Sequence, residues 1–198
     1  MASAAQSVTV DPWRHVRLET DQHRVKHGCW AYPHADGRLL GVLAAATRAK
    51  RILELGTALG YSALWLAHGA PSAHVDTIER DPEHVALARR AISAAGLESR
   101  VTVHQGEFSH VMPTLRTGYD VAFFDGYAPA LPELDHLKGL LRPGGLLISA
   151  NQRLSGPESR GYQTRLLDPL EWFSAPFGDH GDMMLSIRAA PPITGTLP

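Results

Sequence analysis

Five short apolar runs dominate the middle of the chain: RILEL (51–55), AHVDTIE (73–79), RVTVHQ (100–105), YDVAFFD (119–125) and GLLISA (145–150). Their two-sided apolar character is that of strands covered on both faces. Helix-compatible segments lie between them: SALWLAHGA after the first, PEHVALARRAISAAGL after the second and PELDHLKGLL before the fifth. Asp81 is placed to cap the second of these helices and Gly96 to close it. Strands alternating with helices predict an α/β fold, a doubly wound, mostly parallel sheet with right-handed crossovers and helices on both faces. Two later runs, EWFSAP and DMMLSIRA, lie too close together for a crossover and read as an antiparallel pair ending the sheet. Upstream, Asp11-Pro12 serves as cap and first turn of a charged helix reaching about Val25. A break at HGCWAYPHADG precedes an apolar-rich helix from about Arg38 to Arg48. The expected organisation is one domain: a helical cap over 1–48, the sheet core over 49–190 and a mobile tail over 191–198.

A chain of 198 residues with 44% hydrophobic content supports one sizeable core. Lys and Arg number 19 against 20 Asp and Glu, so there is no basic excess to grip a phosphate backbone, and no nucleic-acid partner is expected. No apolar run approaches the roughly 20 residues of a membrane helix, and the N-terminus lacks a secretory pattern. The expected location is cytoplasmic. Cys29 is the only cysteine, which excludes an internal disulfide and reads as a small packing residue.

The turn after the first strand decides the ligand class. A pyrophosphate turn has the form G-x-G-x-x-G, and its middle glycine lets the backbone approach the phosphates. Here Gly56 is followed two residues later by Ala58, and the next glycine is Gly60. No Lys-Ser/Thr follows, so the P-loop pattern fails too. Glu54 stands just before the turn, where it repels a phosphate and favours an ammonium or sulfonium group. Glu79 ends the second strand and can accept both hydroxyls of a ribose. Gly106-Glu107-Phe108 follows the third strand, where an acid and backbone amides suit an adenine. Asp125 ends the fourth. Acids at four successive strand ends describe an adenosine site with a cation-tolerant neighbour.

These residues resemble the class I S-adenosylmethionine-dependent methyltransferases, and more closely the small O-methyltransferases related to the catechol and caffeoyl-CoA enzymes. RILELGTALGYSALWLA is similar to that family's first motif. TIERDPEHVALARRAISAAGLESRVTVHQGE, YDVAFFDGY, LLRPGGLLISAN and FGDHGDMMLSIRA are similar to its later strands and closing hairpin. The resemblance implies a Rossmann-like seven-stranded sheet with a reversed last strand, and commonly a homodimer. It implies S-adenosylmethionine as cofactor, S-adenosylhomocysteine as product and a small-molecule methyl acceptor. It places Glu54, Gly56, Thr57, Gly60, Tyr61 and Ser62 against the methionine half and Glu79 on the ribose. Gly106, Glu107 and Phe108 would border the adenine. Asp125 would lie under the sulfonium and amino end, as the candidate catalytic residue.

Two positions depart from the metal-dependent members of that family. Asp125 and Asn151 match two of their ligands, but Ala150 stands where the other carboxylate belongs, and Ala128 replaces the usual lysine base. Mg²⁺ sites usually draw on carboxylates, so no metal is expected. His27, His34, His110 and His180 are alternative bases, and Trp30, Tyr32 and Tyr127 are candidate walls for an apolar acceptor. An oxygen or a nitrogen acceptor, a homologue that binds cofactor without catalysis, and a nicotinamide oxidoreductase all remain open. Ala58 and Glu54 count against the last.

Overall fold

The computed structural model describes residues 11–127, 129–153, 158–178 and 182–190. Its elements run α1 (Arg14–His27), α2 (Gly37–Ala46), β1 (Arg51–Leu55), α3 (Tyr61–Gly69), β2 (His74–Glu79), α4 (Pro82–Ala94), β3 (Val101–Gln105) and α5 (Phe108–Val111). They continue with β4 (Tyr119–Phe124), α6 (Leu131–Leu140), β5 (Leu141–Ser149), α7 (Ser159–Leu166), β6 (Trp172–Phe177) and β7 (Met183–Arg188). One seven-stranded sheet has the order β3-β2-β1-β4-β5-β7-β6. β7 alone runs against its neighbours, pairing antiparallel with both β5 and β6. The expected sheet and its closing pair are both present. No helix among the described residues is long and apolar enough to cross a membrane.

Strand alternation splits the core into two layers. Ile52, Val75, Val121, Phe123 and Ile148 face α2, α3 and α4, whereas Leu53, Leu55, Ile78, Ala122, Phe124 and Leu147 face α6 and α7. The N-terminal helices are part of this packing, since Val16, Leu40 and Ala44 belong to the first layer. α2 and α3 touch backbone to backbone: a Cβ on Gly69 would fall 2.0 Å from the Gly41 carbonyl oxygen.

Several boundaries differ from expectation. α1 begins at Arg14, because Asp11 forms a turn ahead of it, its Oδ1 accepting from the Trp13 amide at 2.9 Å. α2 starts at Gly37, with Asp36 as cap. β5 begins at Leu141 and bulges through Arg142–Gly145 before rejoining β4 at Leu146. α7 has no counterpart in the sequence pattern. It spans eight residues and buries only Ser159, Tyr162 and Leu166, too few for periodicity to register. The tail from 191, Ala128 and His180 lie outside the described residues.

Candidate active site at the carboxyl edge

Strand order reverses between β1 and β4, so the crevice of a doubly wound sheet opens beyond their carboxyl ends. The loops there are pinned by extensions of the ladder. The amides of Gly56, Gly106, Asp125 and Ala150 donate to the carbonyls of Ile78, Glu79, Leu55 and Phe124 at 2.9–3.0 Å. Gly56 has φ +98°, and a Cβ there would lie 2.9 Å from the Asp125 carbonyl oxygen. Glycine is therefore required by the neighbouring strand end, and not only by an approaching ligand. Gly60, with φ +94°, turns the chain into α3, and its amide closes the loop on the Thr57 carbonyl at 2.8 Å.

Ala58 takes the place of the missing middle glycine and still adopts a left-handed φ of +46°. That conformation aims its amide at Glu79, whose Oε2 accepts at 2.9 Å, while Oε1 accepts from the Asp81 amide at 3.0 Å. Two backbone donors thus fix the Glu79 carboxylate, and each oxygen keeps a lone pair for a further donor. The nearby Glu107 is exposed and pairs with Arg80 at 3.7 Å. Phe108 packs edge-on against Phe124, and a Cβ on Gly106 would press on Val111.

Glu54 lies one residue short of the strand end, and its side chain enters the sheet layer beneath α3. It is fully buried beside its cross-strand neighbours Thr77 and Phe123. Thr77 donates to Oε2 at 2.6 Å and in turn shares a hydrogen bond with Thr57. Ser62 also favours the charged form of Glu54. Burial pushes the Glu54 carboxyl up to about 8 against these hydrogen bonds. Thr57 and Ser62 are buried with it. Tyr61 is turned away from this chain: its hydroxyl donates to Asp11 at 2.8 Å, in a small cleft shared with Arg17, Asp36 and Trp65.

Asp125 is the second perturbed acid. Burial raises it to about 7, and the charge of Asp182 adds to the effect while a hydrogen bond from Asn151 opposes it. Asn151, itself left-handed at φ +60°, points its amide nitrogen at Asp125 Oδ1 (3.1 Å) and at the Gly126 carbonyl (2.8 Å). Asn151 meets the carboxylate as a donor, and Ala150 contributes no oxygen from its side chain. Asp125, Asn151 and Ala150 do not by themselves converge oxygen ligands as a Mg²⁺ site needs, and Asp182 is a further carboxylate whose charge reaches Asp125.

Of the proposed histidines, the fold brings His34 to this point. Its Nδ1 lies 4.0 Å from Asp125 Oδ2 and its ring stands edge-on to Phe123. Burial holds His34 below its ordinary pKa, so it is neutral at pH 7. His27 stacks on His23 at the end of α1, and His110 is exposed on α5. Trp30 and Tyr127, 74% and 71% exposed, meet in an edge contact at 5.6 Å, and Tyr32 lies 6.5 Å from Trp30. Tyr127 follows Asp125 by two residues, on the loop that leaves β4. The pairing of His34 with Asp125 spans 91 positions and leaves no local signal in the sequence.

The sheet order, its reversed strand and the match of residues 53–150 to a family model described as a methyltransferase domain set the class of the protein. A putative O-methyltransferase of Mycobacterium sp. (strain JLS) is 35% identical over 161 residues, covering 79% of this chain and 71% of that protein. A catechol O-methyltransferase of Niastella koreensis is 37% identical over 121 residues, and the match spans 58% of this chain but only 55% of that relative. The crystal structure of a putative O-methyltransferase from Klebsiella pneumoniae superposes with a TM-score of 0.79 at 26% identity, covering 93% of each chain. The chain belongs to the O-methyltransferase family.

Proposed function

We propose that this protein transfers a methyl group from S-adenosylmethionine to an oxygen of a small-molecule acceptor, without a divalent metal. The observations that carry the reading are the Glu79 carboxylate held by two backbone amides at the strand ends and two buried acids, Glu54 and Asp125, whose pKa values burial raises. Glu54 and Asp125, raised to about 8 and about 7, are carboxyls whose charge is poorly compensated. A ligand cation beside them recovers that energy, whereas a diphosphate worsens it. S-adenosylmethionine supplies such a cation, a sulfonium that carries an already activated methyl group.

Glu79, held by the Ala58 and Asp81 amides, accepts the ribose hydroxyls in this reading. Gly106, Glu107 and Phe108 border the adenine, and Gly56, Thr57, Gly60 and Ser62 shape the turn against the methionine half. Tyr61 contributes through the position of α3, since its hydroxyl is engaged by Asp11. Asp125 orients the acceptor side, and neutral His34 takes the acceptor proton at its ring nitrogen. Trp30 and Tyr127 present an aromatic wall, which suits a flat acceptor. Alignment of the acceptor with the methyl group supplies much of the catalysis. The full reading includes a cytoplasmic homodimer.

The test is turnover with S-adenosylmethionine against a panel of phenols, hydroxamates and amines, with and without EDTA. Methylation of a phenol or hydroxamate that is unaffected by EDTA is the expected result. Loss of turnover with EDTA and rescue by Mg²⁺ would overturn metal independence. Calorimetric binding of S-adenosylhomocysteine without turnover on any acceptor would favour a cofactor-binding homologue.

A further inference from the structure

The end of α1 and the start of α4 bring together a second group of chemically active side chains. Gly28 closes α1 in a left-handed conformation, φ +65°, with its amide donating to the Arg24 carbonyl. The chain therefore folds back, and Cys29 arrives beside His23 of α1 and His84 of α4. The ligand atoms of His23, Cys29 and His84 all lie within 4.8 Å of one another. The His23 and His84 rings meet edge to face at 5.1 Å, and His27 stacks on His23 at 4.3 Å. His23, His27 and Glu83 form an overlapping set on the outer side. The only thiol of the chain thus sits beside two of its 11 histidines, with a third, His27, stacked on His23.

Imidazole nitrogen with a thiolate is a Zn²⁺ donor set, and it disfavours Mg²⁺ or Ca²⁺, which take oxygen ligands. Bond lengths of about 2.0–2.3 Å in a tetrahedron place ligand atoms roughly 3.5 Å apart. The three groups need to close by on the order of 1 Å, which side-chain rotation supplies. His84 is buried, and Glu79 Oε1 lies 3.9 Å from its Nδ1, a charge contact longer than a hydrogen bond. His23 and Cys29 are part-exposed, which gives an ion a way in. The fourth position is open to water or to His27.

We propose that His23, Cys29 and His84 form a Zn²⁺ site that ties α1 to α4. It is separate from Asp125, it neighbours Glu79 of the proposed ribose site through His84, and its test does not require methyl transfer. An ion that binds the folded chain in preference to the unfolded one raises its melting temperature.

The test uses full-length, metal-stripped protein without a histidine tag, titrated with Co²⁺ and then Zn²⁺. The expected result is one Co²⁺ per chain, with visible absorption of a tetrahedral centre and a near-ultraviolet thiolate-to-cobalt band, both removed by Zn²⁺. Cys29→Ala abolishes the thiolate band and weakens Co²⁺ binding at least tenfold. His23→Ala weakens it similarly, and His136→Ala, on α6, leaves it unchanged. Both substituted positions are part-exposed, and circular dichroism checks that each variant folds. Absence of the thiolate band in the wild type would overturn the proposal. So would unchanged binding in a His23→Ala/Cys29→Ala double variant.

Discussion

Gly56→Ala tests how the first turn is seated against the fourth strand. The backbone there has φ +98°, and the added Cβ would lie 2.9 Å from the Asp125 carbonyl oxygen and 3.1 Å from its carbonyl carbon. An L-residue forced to positive φ costs about 1–2 kcal/mol, and overpacking against backbone adds about 1–3 kcal/mol. The sum, about 2–5 kcal/mol, corresponds to a fall in melting temperature on the order of 10 °C for a chain of this size. The same loop contains its own control. Ala58 already sits at φ +46°, so Ala58→Gly relieves about 1–2 kcal/mol of backbone strain and loses about 0.4–1 kcal/mol through a freer unfolded chain. That variant should match or slightly exceed the wild type. Thermal unfolding by circular dichroism gives both shifts, and titration with S-adenosylhomocysteine shows whether displacing Asp125 also weakens the ligand. If Gly56→Ala melts with the wild type and binds equally well, the turn does not abut Asp125 and the reasoning fails.

Replacing Glu79 by Ala should weaken S-adenosylhomocysteine by about 1.5–3 kcal/mol, roughly ten- to hundredfold, as for hydrogen bonds to a charged group. The melting temperature should fall as well, because the Ala58 and Asp81 amides lose their acceptor; unchanged affinity by calorimetry would remove the ribose assignment. Glu54 makes the stability of the ligand-free protein depend on pH. Its folded pKa, about 8, lies above the unfolded 4.5, so the folded state holds the extra proton and its stabilisation is complete below about pH 4.5. That contribution declines as pH rises from about 4.5 to 8 and is then constant. Glu54→Gln abolishes the titration, so its melting temperature should gain on the wild type between pH 5 and 8 and hold a steady lead above. A difference independent of pH would show that Glu54 ionises normally.

The sequence by itself determined the sheet. Two-sided apolar runs separated by helix-length segments admit few arrangements, and strand ends lie where the apolar runs stop, so the positions of Glu79 and Asp125 at one edge followed from local pattern. The departure at Ala58 was equally legible, since a glycine fingerprint is a string of residue types. What each acid does there was not legible. Glu54 reads as a strand-end acid, but the pairing of β1 with β2 and β4 places it between Thr77 and Phe123 under α3, where burial sets its protonation. Gly56 reads as a ligand-facing glycine, and the close passage of Asp125 gives it a second reason to be one. His34 was one histidine among several until the N-terminal segment packed over Phe123 and set it beside Asp125. Tyr61 is matched by motif to the ligand, and the hydrogen bond of its hydroxyl to Asp11, 50 positions away, leaves no local signal in the sequence. Cys29 reads as an inert packing residue, and the Gly28 cap turned it toward two histidines. Protonation, solvent exclusion and side-chain convergence depend on atoms tens of residues apart in the chain, and only tertiary packing fixes those distances.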